Sequence, residues 1–238
     1  MPEYGLRRVK IFADGADLEG ILELAARPDI AGFTTNPTLM RQSGVSDYEG
    51  FARKMLERIT DRPISFEVFA DDFGEMLRQA RFIASWGPNV YVKIPITDTS
   101  GTSTAEVVRT LADEGVHLNV TALMTVRQVE TAAGALAGGP EAIISVFAGR
   151  IADTGRDPVP IMREALALLA PYPQLQLLWA SPREILNVTQ ADELGVHIIT
   201  VTHDLLKKLS SLGRDLDDFS LATVRMFHDD ARAAGFLL

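Results

Sequence analysis

Val90-Tyr91-Val92-Lys93-Ile94-Pro95-Ile96 is apolar on both sides of a single lysine. A short run of β-branched and aromatic residues like this reads as a strand covered on both faces. Seven more runs of the same kind occupy residues 9–13, 31–35, 64–70, 117–122, 142–148, 175–180 and 196–201. Segments with apolar residues at helical spacing lie between them, at 18–26, 48–59, 105–112, 126–136, 161–169 and 185–193. Strands alternating with helices predict a parallel sheet. Eight of them, with no shift in composition along residues 1–238, predict one α/β domain closed as a (β/α)8 TIM barrel. An open doubly wound sheet is the alternative, but no G-x-G-x-x-G follows the first run. Helical segments near 204–212, 216–219 and 221–234 exceed the one helix a barrel needs there. They predict a C-terminal helical extension over about 204–238, whose apolar tip Gly235-Phe236-Leu237-Leu238 either folds back or reaches a neighbouring subunit.

The bulk charge narrows the classes of partner. With 32 acidic against 23 basic residues the net charge is -9, which argues against a general nucleic-acid or membrane binder. A few arginines in one pocket still suit a small anion. The chain has no cysteine, so disulfides, thiolate nucleophiles and thiolate metal sites are excluded. Its four histidines, 117, 197, 203 and 228, show no metal-ligand spacing, and no metal is expected. His203, near the eighth run, either reaches the site or caps or starts the helix that follows. No stretch resembles a signal peptide or a membrane span, so a cytoplasmic protein is expected.

Barrel sites lie at the C-terminal ends of the strands, which makes polar residues there the candidates. Lys93 stands in a strand where burial of a charge is costly unless compensated. It is either a strand-end lysine paired with a carboxylate, or an amine made nucleophilic by desolvation and able to form imines. Glu67 interrupts the third run and is expected to face the barrel interior. Asp14 ends the first run; next to Gly15 it also suits a turn or an N-cap. Thr34-Thr35-Asn36-Pro37 closes the second run, with Thr35 and Asn36 as the candidates. Asn119 and Thr121 share one face of the fifth, and Ser145 and Phe147 one face of the sixth. Arg150 and Arg183 follow runs six and seven, beside Ser181. Two guanidinium groups and a hydroxyl suit a phosphate dianion, although each arginine alone also suits a surface ion pair.

Taken together, Phe12-Ala13-Asp14, residues 32–38 (Gly-Phe-Thr-Thr-Asn-Pro-Thr), Val92-Lys93-Ile94-Pro95, Asn119-Val120-Thr121, residues 145–151 and Ala180-Ser181-Pro182-Arg183 resemble the transaldolase family, in its short form close to fructose-6-phosphate aldolase. The resemblance runs in order from residue 12 to about 205. It implies Lys93 as the imine-forming residue and Asp14 as the acid/base for carbon–carbon cleavage. It implies that Glu67 and Thr121 move protons through a water, and that Asn36, Asn119 and Ser145, with Thr35 beside them, hold dihydroxyacetone hydroxyls. Arg150, Ser181 and Arg183 would clamp the phosphate and Phe147 would line the site. Glu67 and Phe147 match the transferring pattern; members that release free dihydroxyacetone usually carry Gln and Tyr there. Pro182 and Phe69-Ala70-Asp71-Asp72 depart from typical members, which leaves the acceptor and the sugar's terminal group open, a sulfonate included. The resemblance further implies sugar phosphates as substrates, no cofactor, and a homo-oligomer, a pentamer or a decamer.

Overall fold

The computed structural model describes residues 8–236; Leu237 and Leu238 of the apolar tip lie outside them. Eight parallel strands close into a barrel in chain order: β1 (Lys10–Asp14), β2 (Ile30–Thr34), β3 (Ile64–Glu67), β4 (Val90–Pro95), β5 (Leu118–Leu123), β6 (Ala142–Val146), β7 (Leu175–Trp179) and β8 (Ile198–Thr202), with β8 pairing back onto β1. The helices are α1 (Leu18–Ala25), α2 (Pro37–Gln42), α3 (Tyr48–Arg58), α4 (Phe73–Ala84), α5 (Ala105–Asp113), α6 (Val126–Leu136), α7 (Ala148–Asp153), α8 (Val159–Leu169), α9 (Leu186–Leu194), α10 (His203–Lys208) and α11 (Leu216–Ala233). All eight predicted strands are present, so the closed TIM barrel, not the open sheet, is the fold.

Three helices lie where the spacing predicts none. α4 is capped by the Asp72 carboxylate, which accepts from Glu75 N, and it buries Met76, Ala80 and Ile83 against the sheet. α2 and α7 have six residues each, too few for a period to show. The two predicted segments at 216–219 and 221–234 are one helix, α11, begun by Asp215 accepting from the N–H groups of Asp217 and Asp218. His203 is the first residue of α10, the second of its two readings. Among the described residues no helix is long and apolar enough to cross a membrane.

Alternation along the strands separates two layers inside the barrel. Phe12, Ile143, Leu178 and Ile198 form a packed apolar plug in its lower part. The next inward position on each strand lies two residues on, about 6–7 Å higher. There stand Asp14, Ser145, Ala180 and Thr200, joined by Glu67, Lys93 and Asn119, all lining one cavity. The plug is tight enough to dictate a glycine: a Cβ on Gly32 would sit 2.5 Å from the Phe12 ring. The outward residues pack on the helices, and each fully buried Ile, Leu, Val or Phe contributes about 1.5–3 kcal/mol.

Candidate active site

A cavity of about 540 Å³ opens at the C-terminal ends of the strands. Lys93, 6 % exposed, rises from its floor. Its Nζ stands 2.9 Å from the Glu67 carboxylate and donates to the Thr35 carbonyl at 2.7 Å. β3 and β4 pair Glu67 directly with Lys93, so the sheet register itself sets the acid beside the amine. A charge this deep would be costly alone; the pair and the carbonyl compensate it.

Asp14 ends β1 inside the same cavity and accepts from the Thr34 hydroxyl at 2.8 Å. Burial pushes its carboxyl above the usual carboxylate range. The Lys93 charge and the Thr34 hydrogen bond pull the other way, and Glu67 adds to the rise. Asp14 therefore caps no helix; Asp17 is the N-cap of α1.

On the opposite wall a chain of hydrogen bonds joins three strands. The Ser145 hydroxyl donates to Asn119 Oδ1 at 2.7 Å, and Asn119 Nδ2 donates to Ser65 Oγ at 3.0 Å. Thr121 follows two residues after Asn119 on the same face and lines the cavity. Asn36 caps α2 with its Oδ1, which accepts from Leu39 N, and Pro37 takes the first helical position, where a missing N–H does no harm. The Asn36 amide nitrogen remains as a donor on the cavity wall.

The rim carries the anion-binding candidates. Arg150, exposed, lies over the Phe147 ring at 5.4 Å, and both line the cavity with Ser181. Ser181 (φ 62) and Ala122 (φ 65) are non-glycine residues in the left-handed region, and both line the cavity. Such conformations cost roughly 1–3 kcal/mol each and persist where the surroundings enforce them.

Two predicted residues are placed differently. Thr35 is fully buried and its hydroxyl donates to the Ser65 carbonyl, so only its main-chain oxygen serves the site. Side chains alternate along β2, and it is Thr34 that faces the cavity. Arg183 stands at the edge of the lining, its guanidinium forked onto the Asp153 carboxylate of α7, with Nε at 2.8 Å, while its Nη1 donates to the hydroxyl of the lining Ser181 at 3.4 Å. That pairing holds Asp153 below the usual carboxylate range, with Arg150 adding to the effect. The remaining ten predicted residues line the cavity: Asp14, Asn36, Glu67, Lys93, Asn119, Thr121, Ser145, Phe147, Arg150 and Ser181. Sequence reading missed Thr200 and Thr202, which alternate inward along β8 and were legible from Ile198-Ile199-Thr200-Val201-Thr202.

A family model described as transaldolase/fructose-6-phosphate aldolase matches residues 11–237. A protein of Dehalococcoides mccartyi named "Probable transaldolase" is 37% identical over 202 residues, covering 84% of this chain and 90% of that one. A protein of the same name from Thermoanaerobacter sp. is 34% identical over 228 residues, covering 95% and 99%. Among solved structures, 3-hexulose-6-phosphate synthase from Salmonella typhimurium superposes with a TM-score of 0.58 at 13% identity, over 87% of this chain and 98% of that one, a likeness of fold alone.

Proposed function

The chain belongs to the transaldolase/fructose-6-phosphate aldolase family, and from that premise we propose that it is a transaldolase, moving a dihydroxyacetone unit from a ketose phosphate to an aldose phosphate through an imine on Lys93. The observation that carries the assignment is the buried Lys93 amine, fixed 2.9 Å from Glu67 at the floor of a polar cavity that Asp14 also lines.

In this reading Lys93 Nζ adds to the C2 carbonyl of fructose 6-phosphate, and the oxygen leaves as water with protons moved by Glu67 and Thr121. Asp14 takes the C4 hydroxyl proton. The C3–C4 bond breaks, its electron pair passes into the protonated imine, and the aldose phosphate leaves. The dihydroxyacetone enamine stays on Lys93 until a second aldose phosphate accepts it; the Asp14 proton then returns to the new hydroxyl, and water hydrolyses the imine. The imine is its own electron sink, so the chemistry requires neither metal nor organic cofactor. Asn36, Asn119 and Ser145 are suited to the dihydroxyacetone hydroxyls, and Arg150 with Ser181 to the phosphate. Glu67 and Phe147 favour transfer over release of free dihydroxyacetone.

We further assign α11 to a contact between copies of the chain in a cytoplasmic homo-oligomer, a pentamer or decamer by family resemblance. None of its side chains is buried, and Leu216, Val224 and Phe227 are 79 %, 59 % and 63 % exposed. A patch of this kind on a soluble surface marks an interaction site.

Borohydride trapping tests the chemistry. Incubation with fructose 6-phosphate followed by reduction is expected to add the sugar-derived mass to the peptide containing Lys93, and to leave a Lys93→Arg variant unlabelled. An unlabelled wild-type protein overturns the assignment.

A further inference from the structure

The seam between β2 and β3 is interrupted at the point that supports the lysine. In a parallel ladder, a residue's N–H and C=O bond to the two residues flanking its partner. Thr35 N–H donates to the Ser65 carbonyl at 3.2 Å. The next rung would run from Glu67 N–H to the Thr35 carbonyl, but the two halves are bonded elsewhere. Glu67 N–H donates to the Tyr48 hydroxyl oxygen at 2.7 Å, and the Thr35 carbonyl accepts from Lys93 Nζ at 2.7 Å. The rung after that would need an N–H at residue 37, which is proline. The Tyr48 hydroxyl serves there too, donating to the Glu67 carbonyl at 3.1 Å.

Tyr48 is the first residue of α3, outside the barrel. Its ring is fixed edge-on against Phe69 and Phe66, at 4.5 and 6.2 Å between centroids, and tilted against Trp86 at 5.9 Å. The hydroxyl thus reaches the barrel wall on a rigid support and satisfies both main-chain groups of Glu67, which would otherwise be unpaired at a strand end.

We propose that Tyr48 is a positioning residue: by taking the rung at Glu67, it frees the Thr35 carbonyl to anchor Lys93 and holds the main chain of Glu67, whose carboxylate the register places beside the amine. The inference rests on the imine reading of Lys93 for its effect on rate, but the seam geometry can be judged without it. Tyr48 touches no substrate. It decides where two groups that do can stand.

The test is Tyr48→Phe beside Trp86→Phe, which disturbs the same aromatic cluster and leaves the hydroxyl in place. Tyr48→Phe is expected to lower kcat and the rate of borohydride-trappable imine formation about tenfold, the rate equivalent of one buried hydrogen bond. KM is expected to stay unmoved, and Trp86→Phe to keep the wild-type kcat. A Tyr48→Phe variant with wild-type kcat, or a Trp86→Phe variant that loses as much, overturns the proposal. If the wild-type protein does not turn over, the reaction assignment falls and the seam alone decides. A crystal structure of Tyr48→Phe in which Glu67 N–H closes onto the Thr35 carbonyl and Lys93 leaves it supports the proposal; an unchanged seam refutes it. If that variant does not fold, the unaltered protein decides by the same measurement. Glu67 N–H on the Tyr48 hydroxyl supports the proposal, and Glu67 N–H on the Thr35 carbonyl overturns it.

Discussion

Gly149→Ala is the sharpest mechanical probe of the cavity rim. Gly149 is the second residue of α7 and its N–H donates to the Ala180 carbonyl, which presses the helix against the chain leaving β7. A Cβ there would lie 1.5 Å from the Ser181 carbonyl oxygen and 2.6 Å from its carbon. The two segments must part by about 1.5 Å before the contact becomes tolerable. Ser181 has little freedom to give, because it already holds a left-handed conformation without being glycine. Arg150 is the next residue in α7, so the same displacement separates the arginine from the hydroxyl proposed to share the phosphate. Misplacement by about 1 Å costs on the order of 100-fold in rate. Forcing a methyl group into packed structure costs about 1–3 kcal/mol, and each kcal/mol lowers Tm by about 2–4 °C for a chain of this size. Steady-state kinetics with fructose 6-phosphate should therefore show kcat/KM reduced between tenfold and 100-fold, and thermal melting should show a lower Tm. Gly134→Ala is the internal control. Gly134 lies inside α6 with nothing within 4 Å of the added Cβ. It should gain about 0.5–1 kcal/mol with unchanged kinetics. Wild-type kcat/KM and Tm in Gly149→Ala would refute the claim that this contact sets the rim.

Two further expectations concern pH and assembly. Burial raises the Asp14 carboxyl, so the acid limb of kcat/KM should lie above the ordinary carboxylate range, and Asp14→Asn should abolish that limb together with most activity. Folded Asp14 holds its proton more tightly than the unfolded chain does. Its favourable contribution to stability is therefore present at low pH and is lost as pH rises through the raised value. Asp14→Asn should accordingly melt higher than the parent at pH 8, and a lower Tm there would contradict the burial argument. For assembly, Met226 and Phe227 are 51 % and 63 % exposed on α11. Replacing both with Asp should reduce the particle seen by light scattering to the 26.0 kDa monomer; a wild-type protein already at that mass would contradict the assignment of α11.

The barrel was legible because its strands are covered on both sides, which turns each into a mainly apolar run. α4 was not read, although its signals are present: Asp72 as cap, Glu75 three residues on, and Met76, Ala80 and Ile83 one helical face apart. α2 and α7 are different, because six residues hold no period; α2 is marked only by a cap followed by proline, and α7 has neither a side-chain cap nor a proline at its start. In the site, alternation located Glu67, Lys93, Asn119, Thr121 and Ser145, since each interrupts or shares a face within an apolar strand. Alternation could not choose between Thr34 and Thr35, because that depends on where β2 stops. Nor could any local rule pair Arg183 with Asp153, 30 residues earlier, or bring Tyr48 from α3 to the main chain of Glu67.

The two inner layers explain why this barrel can hold a charged floor at all. Phe12, Ile143, Leu178 and Ile198 close the barrel below, Leu178 forming part of the cavity floor, and the polar layer begins one inward position higher. The apolar plug stabilises the fold and keeps water from reaching Lys93 from beneath. The polar layer above then supplies the charge and hydrogen-bond partners of the groups it contains. Because side chains alternate with period two, slipping any one strand by a residue would send its polar group into the helical layer and its outward apolar neighbour into the cavity. Register is therefore under a double constraint. The direct pairing of Glu67 with Lys93 and of Lys93 with Asn119 across β3, β4 and β5 satisfies it. The seam between β2 and β3, where pairing stops at Thr34 and Ser65, is where the sheet yields main-chain groups to side chains. The site's main-chain anchor for the amine comes from that break in the ladder, which makes the irregularity in the sheet a part of the chemistry.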